Sequence, residues 1–217
     1  MYKITFQLAT PVSFIDRPTF DGILAYAYAR ELNAGKPEFT KQSFSETELI
    51  DFSKMPIAMH PDGYFMASQL MYNESCARET VQRWRKRWDQ KNERFADFGK
   101  NKRKIDVQRG EFKSYDMPIR LVVVPEVWFV FESNNVHEVE RLVAKHVFSL
   151  GKKHTVGHGE ISGFNITEVN EDIIRPIPFR LLNNCDKDTE IRFCTFAPPY
   201  WDVSKADKCA ITSIKAT

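Results

Sequence analysis

A chain of 217 residues is long enough for one large domain or two small ones built around a real core. Its apolar share of 42% and charged share of 28% are ordinary for a globular protein, and no run approaches the length of a membrane span. The four cysteines, Cys76, Cys185, Cys194 and Cys209, have no C-x-x-C spacing and no paired-histidine companion, which points away from zinc and toward reduced thiols in the cytoplasm.

Met1 to Phe6 alternates polar and apolar residues and lacks the continuous apolar core of a signal peptide. Ile4, Phe6 and Leu8 against Lys3, Thr5 and Gln7 predict a half-buried first strand that Thr10-Pro11 ends. Thr19 or Asp21 then caps a helix from Phe20 to Leu32, with Phe20, Ile23, Leu24 and Ala27 on its buried side. Gly35 to Lys54 is polar, with room for one short helical turn between Ser45 and Phe52. Met55 to Met59 and Tyr64 to Ser68 flank His60-Pro61-Asp62-Gly63, a strong turn signal, and predict a hairpin.

Cys76 to Lys113 is the charge anomaly. It holds 13 of the 31 basic residues and 6 of the 29 acidic ones, leaving 18 against 23 for the rest of the chain. The overall +2 therefore conceals a strongly basic segment on a mildly acidic body. Arg78 to Phe98 reads as helical, with Trp84, Trp88 and Phe95 on one face, interleaved with Arg83, Arg85, Lys86, Arg87 and Arg94. A surface helix docking its tryptophans on the core accounts for that periodicity. It does not account for Lys100, Lys102, Arg103, Lys104 and Arg109, a polar run suited to a polyanionic partner.

Ile119 to Val124 and Val127 to Phe131 are apolar on both faces and split by Pro125-Glu126, as expected of strands in the middle of a covered sheet. Asn135 followed by Glu138 is a capping-box pattern opening an amphipathic helix, with Val139, Leu142, Val143, Val147 and Leu150 along one stripe. Gly151 sits where a left-handed C-terminal cap belongs. The loop Lys152-Lys153-His154-Thr155-Val156-Gly157-His158-Gly159 follows, combining unshielded amides with positive charge in a way that suits a phosphate backbone. A helix cap followed by a tight turn explains the same spacing. A strand from Glu160 to Val169 completes the order strand, helix, hairpin with a basic insertion, strand, helix, strand. That order is α+β and ferredoxin-like (RNA-recognition-motif-like), a βαββαβ core over residues 1–172. From Ile173 to Thr217 the chain is a proline-limited tail with one strand at Ile191 to Cys194, expected to wrap the core and bury Tyr200 and Trp201.

Catalytic motifs are sparse. There is no H-E-x-x-H, no G-x-x-x-x-G-K-[ST] and no G-x-S-x-G, so neither metal nor cofactor is expected. His146 beside the apolar stripe reads as a core or rim histidine. His154 or His158 near Lys152 would suit metal-independent RNA cleavage, with the imidazole activating a 2′-hydroxyl. Phosphate grip without chemistry is the more economical reading.

Several stretches coincide: Ile4 to Pro11 leading into Phe20 to Ala27, Met55-Pro56-Ile57-Ala58, Gly151-Lys152-Lys153 running to Gly157-His158-Gly159, and Pro198-Pro199-Tyr200-Trp201. Together they resemble the RAMP proteins of CRISPR systems, most closely the small RAMP subunit of type IV effector complexes that caps the five-prime handle of crRNA. The resemblance implies that the basic insertion, about 74–116, is a partly helical thumb, where many relatives carry a simple β-hairpin. It also implies a non-catalytic RNA-binding subunit, the alternative being a RAMP endoribonuclease that processes precursor crRNA. The partners implied are the crRNA handle, the neighbouring RAMP backbone subunit, the large subunit and the DNA motif flanking a target. The residues carried over are Gly151, Lys152, Lys153, Gly157, His158 and Gly159 in the loop. Charge and composition add His154 of the loop and, in the insertion, Arg83, Trp84, Arg85, Lys86, Arg87, Lys102, Arg103 and Lys104 as RNA-binding candidates.

Overall fold

The computed structural model describes residues 1–32, 50–61, 63–89, 91, 95, 106–109, 113–170, 180–181, 190–195, 198, 200 and 206–211. The first strand, β1 (Tyr2–Leu8), buries Ile4 and Phe6 as its alternation requires. It lies between β4 (Glu126–Phe131) and β5 (Ile161–Glu168), antiparallel to both, with Ile4 opposite Phe129 on one side and Ile166 on the other. Two helices, α1 (Phe20–Leu32) and α2 (Val136–His146), pack against each other. Phe20 of α1 meets Phe131 and Phe129 of β4 at 4.7 and 5.5 Å between ring centres, so the first helix is seated on the sheet by aromatic packing. The described chain is α+β with antiparallel sheets, and no described helix is long and apolar enough to cross a membrane.

The turn at residues 60–63 forms as expected: His60 N–H donates to Tyr64 O and Gly63 N–H to His60 O, with Gly63 at φ 90°. Its arms meet through the single bridge Met59–Phe65 and not through a long ladder. The chain then runs antiparallel along the outer edge of β4, bridging Ala67 to Phe131 and Met71 to Trp128. Ser68, fully buried, accepts from Val130 N–H at 2.8 Å, so the hydroxyl completes a backbone pairing inside the core. β4 therefore has backbone-bonded neighbours along both edges.

The helix α2 starts where Asn135 predicts, its Oδ1 accepting from Glu138 N–H at 3.1 Å. Only half of the capping box forms, because the Glu138 carboxylate turns forward to Arg141 at 2.8 Å. The helix ends at His146, one turn earlier than its apolar stripe implies. Val147 and Leu150 are buried as extended residues, and Gly151 belongs to the following loop, not to the helix cap.

One expectation fails. The start of the expected helix from Arg78 to Phe98 is not helical: Arg78–Lys86 is a strand, β2, paired antiparallel along its whole length with β3 (Tyr115–Val123), from Arg78 opposite Val123 to Lys86 opposite Tyr115. The i, i+4 spacing of Trp84 and Trp88 fits a helix face, yet in a strand both also fall on one side. The β-branched Thr80 and Val81 and a strongly β-forming partner 29 to 45 residues downstream decide the matter, and no local pattern reveals that partner. β3 is accordingly half of a two-stranded ribbon, with only its core-proximal residues Ile119, Leu121 and Val122 buried. The tail carries the strand expected at Ile191 to Cys194, as part of a small sheet. β6 (Arg180–Leu181), β7 (Glu190–Thr195) and β8 (Ala206–Ile211) form an antiparallel sheet in the order β6–β8–β7. Tyr200 is half-buried, its hydroxyl donating to Asp21 at the start of α1; Trp201, Arg94 and Lys100 lie outside the described residues.

Candidate nucleic-acid interface

Beyond β1 the chain does not simply stop at Thr10-Pro11. Residues 9–13 run as a pin between the ribbon and the glycine loop. On one side Val12 exchanges both backbone hydrogen bonds with Val122 of β3, at 3.0 and 2.8 Å. On the other, Ala9 N–H donates to Glu160 O, Gly159 N–H to Pro11 O and Lys152 N–H to Ser13 O, the last at 2.6 Å. Three segments distant in sequence are thus held edge to edge by backbone bonds.

That contact explains two of the loop's glycines. A Cβ at Gly151 would sit 2.3 Å from Ser13 O, and one at Gly159 would sit 2.0 Å from Leu150 O. Both also hold positive φ, so close approach and left-handed backbone coincide at each. Gly157, at φ 87°, faces open space, and its requirement is conformational alone. The amides are less bare than the loop's composition implies. Those of Lys152 and Gly159 bind the pin, while those of Val156, Gly157 and His158 close the 3₁₀ turn His154–Val156. The amides of Gly151, Lys153, His154 and Thr155 have no backbone acceptor among the described residues.

Lys153 is the one non-glycine residue with positive φ among the described residues, at φ 63° and ψ 29°. Its ammonium stands 5.6 Å above the Trp84 ring, within cation–π range. The indole N–H of Trp84 in turn donates to the Tyr115 hydroxyl at 2.6 Å, fixing the ring across the ribbon. The loop and the basic strand, read from the sequence as separate candidates, are therefore one surface.

Arg83 and Arg85 both reach Asp116 on the facing strand, each at 3.1 Å. Desolvation pushes the Asp116 carboxyl up, and the two guanidiniums more than reverse it, holding it below the usual range. One carboxylate shared by two arginines leaves the ribbon positive, with Arg78, Lys86, Arg87 and Arg120 also exposed. Lys152, Lys153 and His154 are exposed and His158 half-exposed, whereas Gly159 is buried. Lys102, Arg103 and Lys104 lie outside the described residues.

Between ribbon and loop lies a cleft of about 660 Å³. It is lined by Ser13, Phe14 and Ile15, by Tyr72, by both strands of the ribbon, and by Lys152 and Lys153. Sequence reasoning missed this cleft. Phe14, Ile15, Tyr72 and Met117 come from stretches with no motif of their own, and only the pin at residues 9–13 brings them to the lysines. The structure brings no group of three or more His, Cys, Asp or Glu together as a metal site among the described residues.

A model of the family described as CRISPR type IV associated protein Csf3 matches residues 1–212 of the chain. No curated protein matches it.

Proposed function

The chain belongs to the family of CRISPR type IV associated protein Csf3, and on that premise we propose that it is a non-catalytic crRNA-binding subunit of a type IV CRISPR ribonucleoprotein. In this reading it holds the five-prime handle and abuts a RAMP backbone subunit and the large subunit. The observation that carries it is the union of two cationic elements: the Lys152–Lys153 loop is pinned against the ribbon, with Lys153 over Trp84. Ammonium groups and open amides meet phosphates, and exposed rings and apolar side chains meet unpaired bases.

Two features support the finer placement in the RAMP superfamily. The order β5–β1–β4, extended past β4 by the antiparallel edge at residues 67–71, is the strand order of a ferredoxin-like βαββαβ core. The ribbon β2–β3 is a hairpin-type projection at the place where a thumb is inserted, and it extends the same reading toward a target's flanking DNA motif. For the non-catalytic role, neither His154 nor His158 is bonded to a carboxylate among the described residues, so nothing described there holds an imidazole in a defined tautomer.

The test is equilibrium binding of the purified chain to the crRNA five-prime segment over a range of salt. Replacing Lys152 and Lys153 by Ala should weaken binding and flatten the log–log salt slope by roughly 0.7 per lost single-strand phosphate contact. An unchanged slope removes the loop from the interface. Labelled repeat RNA incubated with the chain in EDTA should remain intact; specific cleavage lost in His154→Ala or His158→Ala would make the protein an endoribonuclease instead.

A further inference from the structure

The cleft under the ribbon has two characters that rarely occur together on a surface. Its lining includes large apolar side chains left in solvent: Ile15 is 79% exposed and Met117 43%. Single exposed apolar residues are commonplace, but two beside the half-buried Phe14 in one concavity form a patch that calls for an occupant. Its rim carries two ammonium groups, one of them held by a left-handed backbone that a lysine adopts only at an energetic cost. Glu79, Val81 and Arg120 also line it, all exposed and on the ribbon face opposite Met117.

An occupant must therefore be flat or compact and apolar at its inner end, and anionic where it leaves the cleft. A single unpaired nucleotide has that division, with its base faces apolar, its base edges polar and its phosphates charged. An apolar protein side chain would cover the apolar lining and leave the lysine rim facing nothing of opposite sign. A free phosphate would use the rim and leave the apolar lining wet.

We propose that this cleft receives one base of the bound strand, seated on Phe14 and Ile15 against Met117, with its phosphate on Lys152 and Lys153. The proposal rests on the RNA-binding function above and adds to it a position: one nucleotide whose base, and not only its phosphate, contributes to binding. Stacking and apolar contact tolerate any base.

The experiment uses the full chain and the five-prime segment of crRNA, synthesised with one abasic site at each position in turn. One position should lose roughly 5- to 100-fold in affinity, the range of a lost stacked base, while its neighbours lose little. Because Ile15 and Met117 are exposed, Ile15→Asp and Met117→Asp leave the fold intact, which a melting curve verifies. In those variants the abasic penalty should vanish while the salt slope stays that of the parent chain. If every abasic position is neutral but Lys152→Ala with Lys153→Ala still flattens the slope, the cleft holds no base and the phosphate-binding function survives alone. If the segment does not bind at all, both fall. If the Asp variants leave RNA affinity and the abasic penalty untouched but abolish copurification of another subunit, the occupant is a protein and the proposal is overturned.

Discussion

The sheet-and-helix body and the ribbon-and-loop cleft handle their side chains in opposite ways. In the body, the aromatic core is inside and the cations end on a carboxylate: Glu31 at the end of α1 receives Arg141 at 3.0 Å, Lys145 at 2.8 Å and His146 at 2.6 Å, all from α2. In the cleft, Ile15 and Met117 stand in solvent and Lys153 rests on a ring instead of a carboxylate. A body arranged that way gains stability from its own residues. A surface arranged the other way is incomplete until something apolar and anionic arrives, and the difference separates what folds the chain from what the chain holds.

The largest effect that divides the two regions should come from the aromatic cluster. Phe129→Ala removes a ring packed on Phe6 and Phe20 and should cost about 3–5 kcal/mol in denaturant unfolding. The salt slope of RNA binding by the molecules that remain folded should not move. A changed slope would mean that body and cleft are not separable.

Gly159 and Gly157 sharpen the comparison within a single loop. Gly159→Ala puts a methyl against Leu150 O at a backbone angle alanine avoids and should cost about 1–3 kcal/mol, dislodging the loop from Pro11 and lowering RNA affinity with stability. Gly157→Ala meets no atom, so only the backbone preference remains, about 1 kcal/mol, and affinity should be nearly unchanged. Equal losses would mean that close approach is not what the buried glycine supplies.

Two carboxylates in the body should give pH dependences of opposite sign. Hydrogen bonds from Lys145 and His146 hold Glu31 at about 2, below its ordinary 4.5, so its contribution is present above pH 4.5 and lost as pH falls toward 2. Burial pushes Asp21 up to about 6 from 3.8, against the bonds it accepts from Thr19 and Gly22. The folded chain retains that proton, so the contribution of Asp21 is present below pH 3.8 and lost as pH rises through 6. Thermal melts across pH 2–7 should lose the upper slope in Asp21→Asn and the lower one in Glu31→Gln.

The same division decides what could be read from the residues. β1, α1, β4 and the start of α2 were legible because burial writes its period into the sequence: Ile4 and Phe6 at two, Val139, Leu142 and Val143 at helical spacing. Gly63 marked its turn for a similarly local reason. The ribbon was misread because no face of it is buried along most of its length, so neither period is enforced, and its partner strand lies far downstream. The loop was recognised by its glycines and lysines, but their division of labour was not. Whether an amide faces a phosphate or Ser13 O depends on a pin whose residues, Ala9 to Ser13, carry no motif.

Lys153 is where the two regions meet, and it yields the smallest effect with the most to say. Its left-handed backbone costs a side-chain-bearing residue on the order of 1 kcal/mol, which glycine avoids. Glycine also loses more chain entropy on folding, so Lys153→Gly should raise stability by no more than about 1 kcal/mol. RNA affinity should move the other way, with the salt slope shallower by roughly 0.7 for the one phosphate contact removed. A residue whose removal stabilises the fold and weakens binding is there for the ligand. If Lys153→Gly instead lowers the melting temperature and leaves affinity alone, the ammonium over Trp84 is a strut of the ribbon, and the rim of the cleft reduces to Lys152.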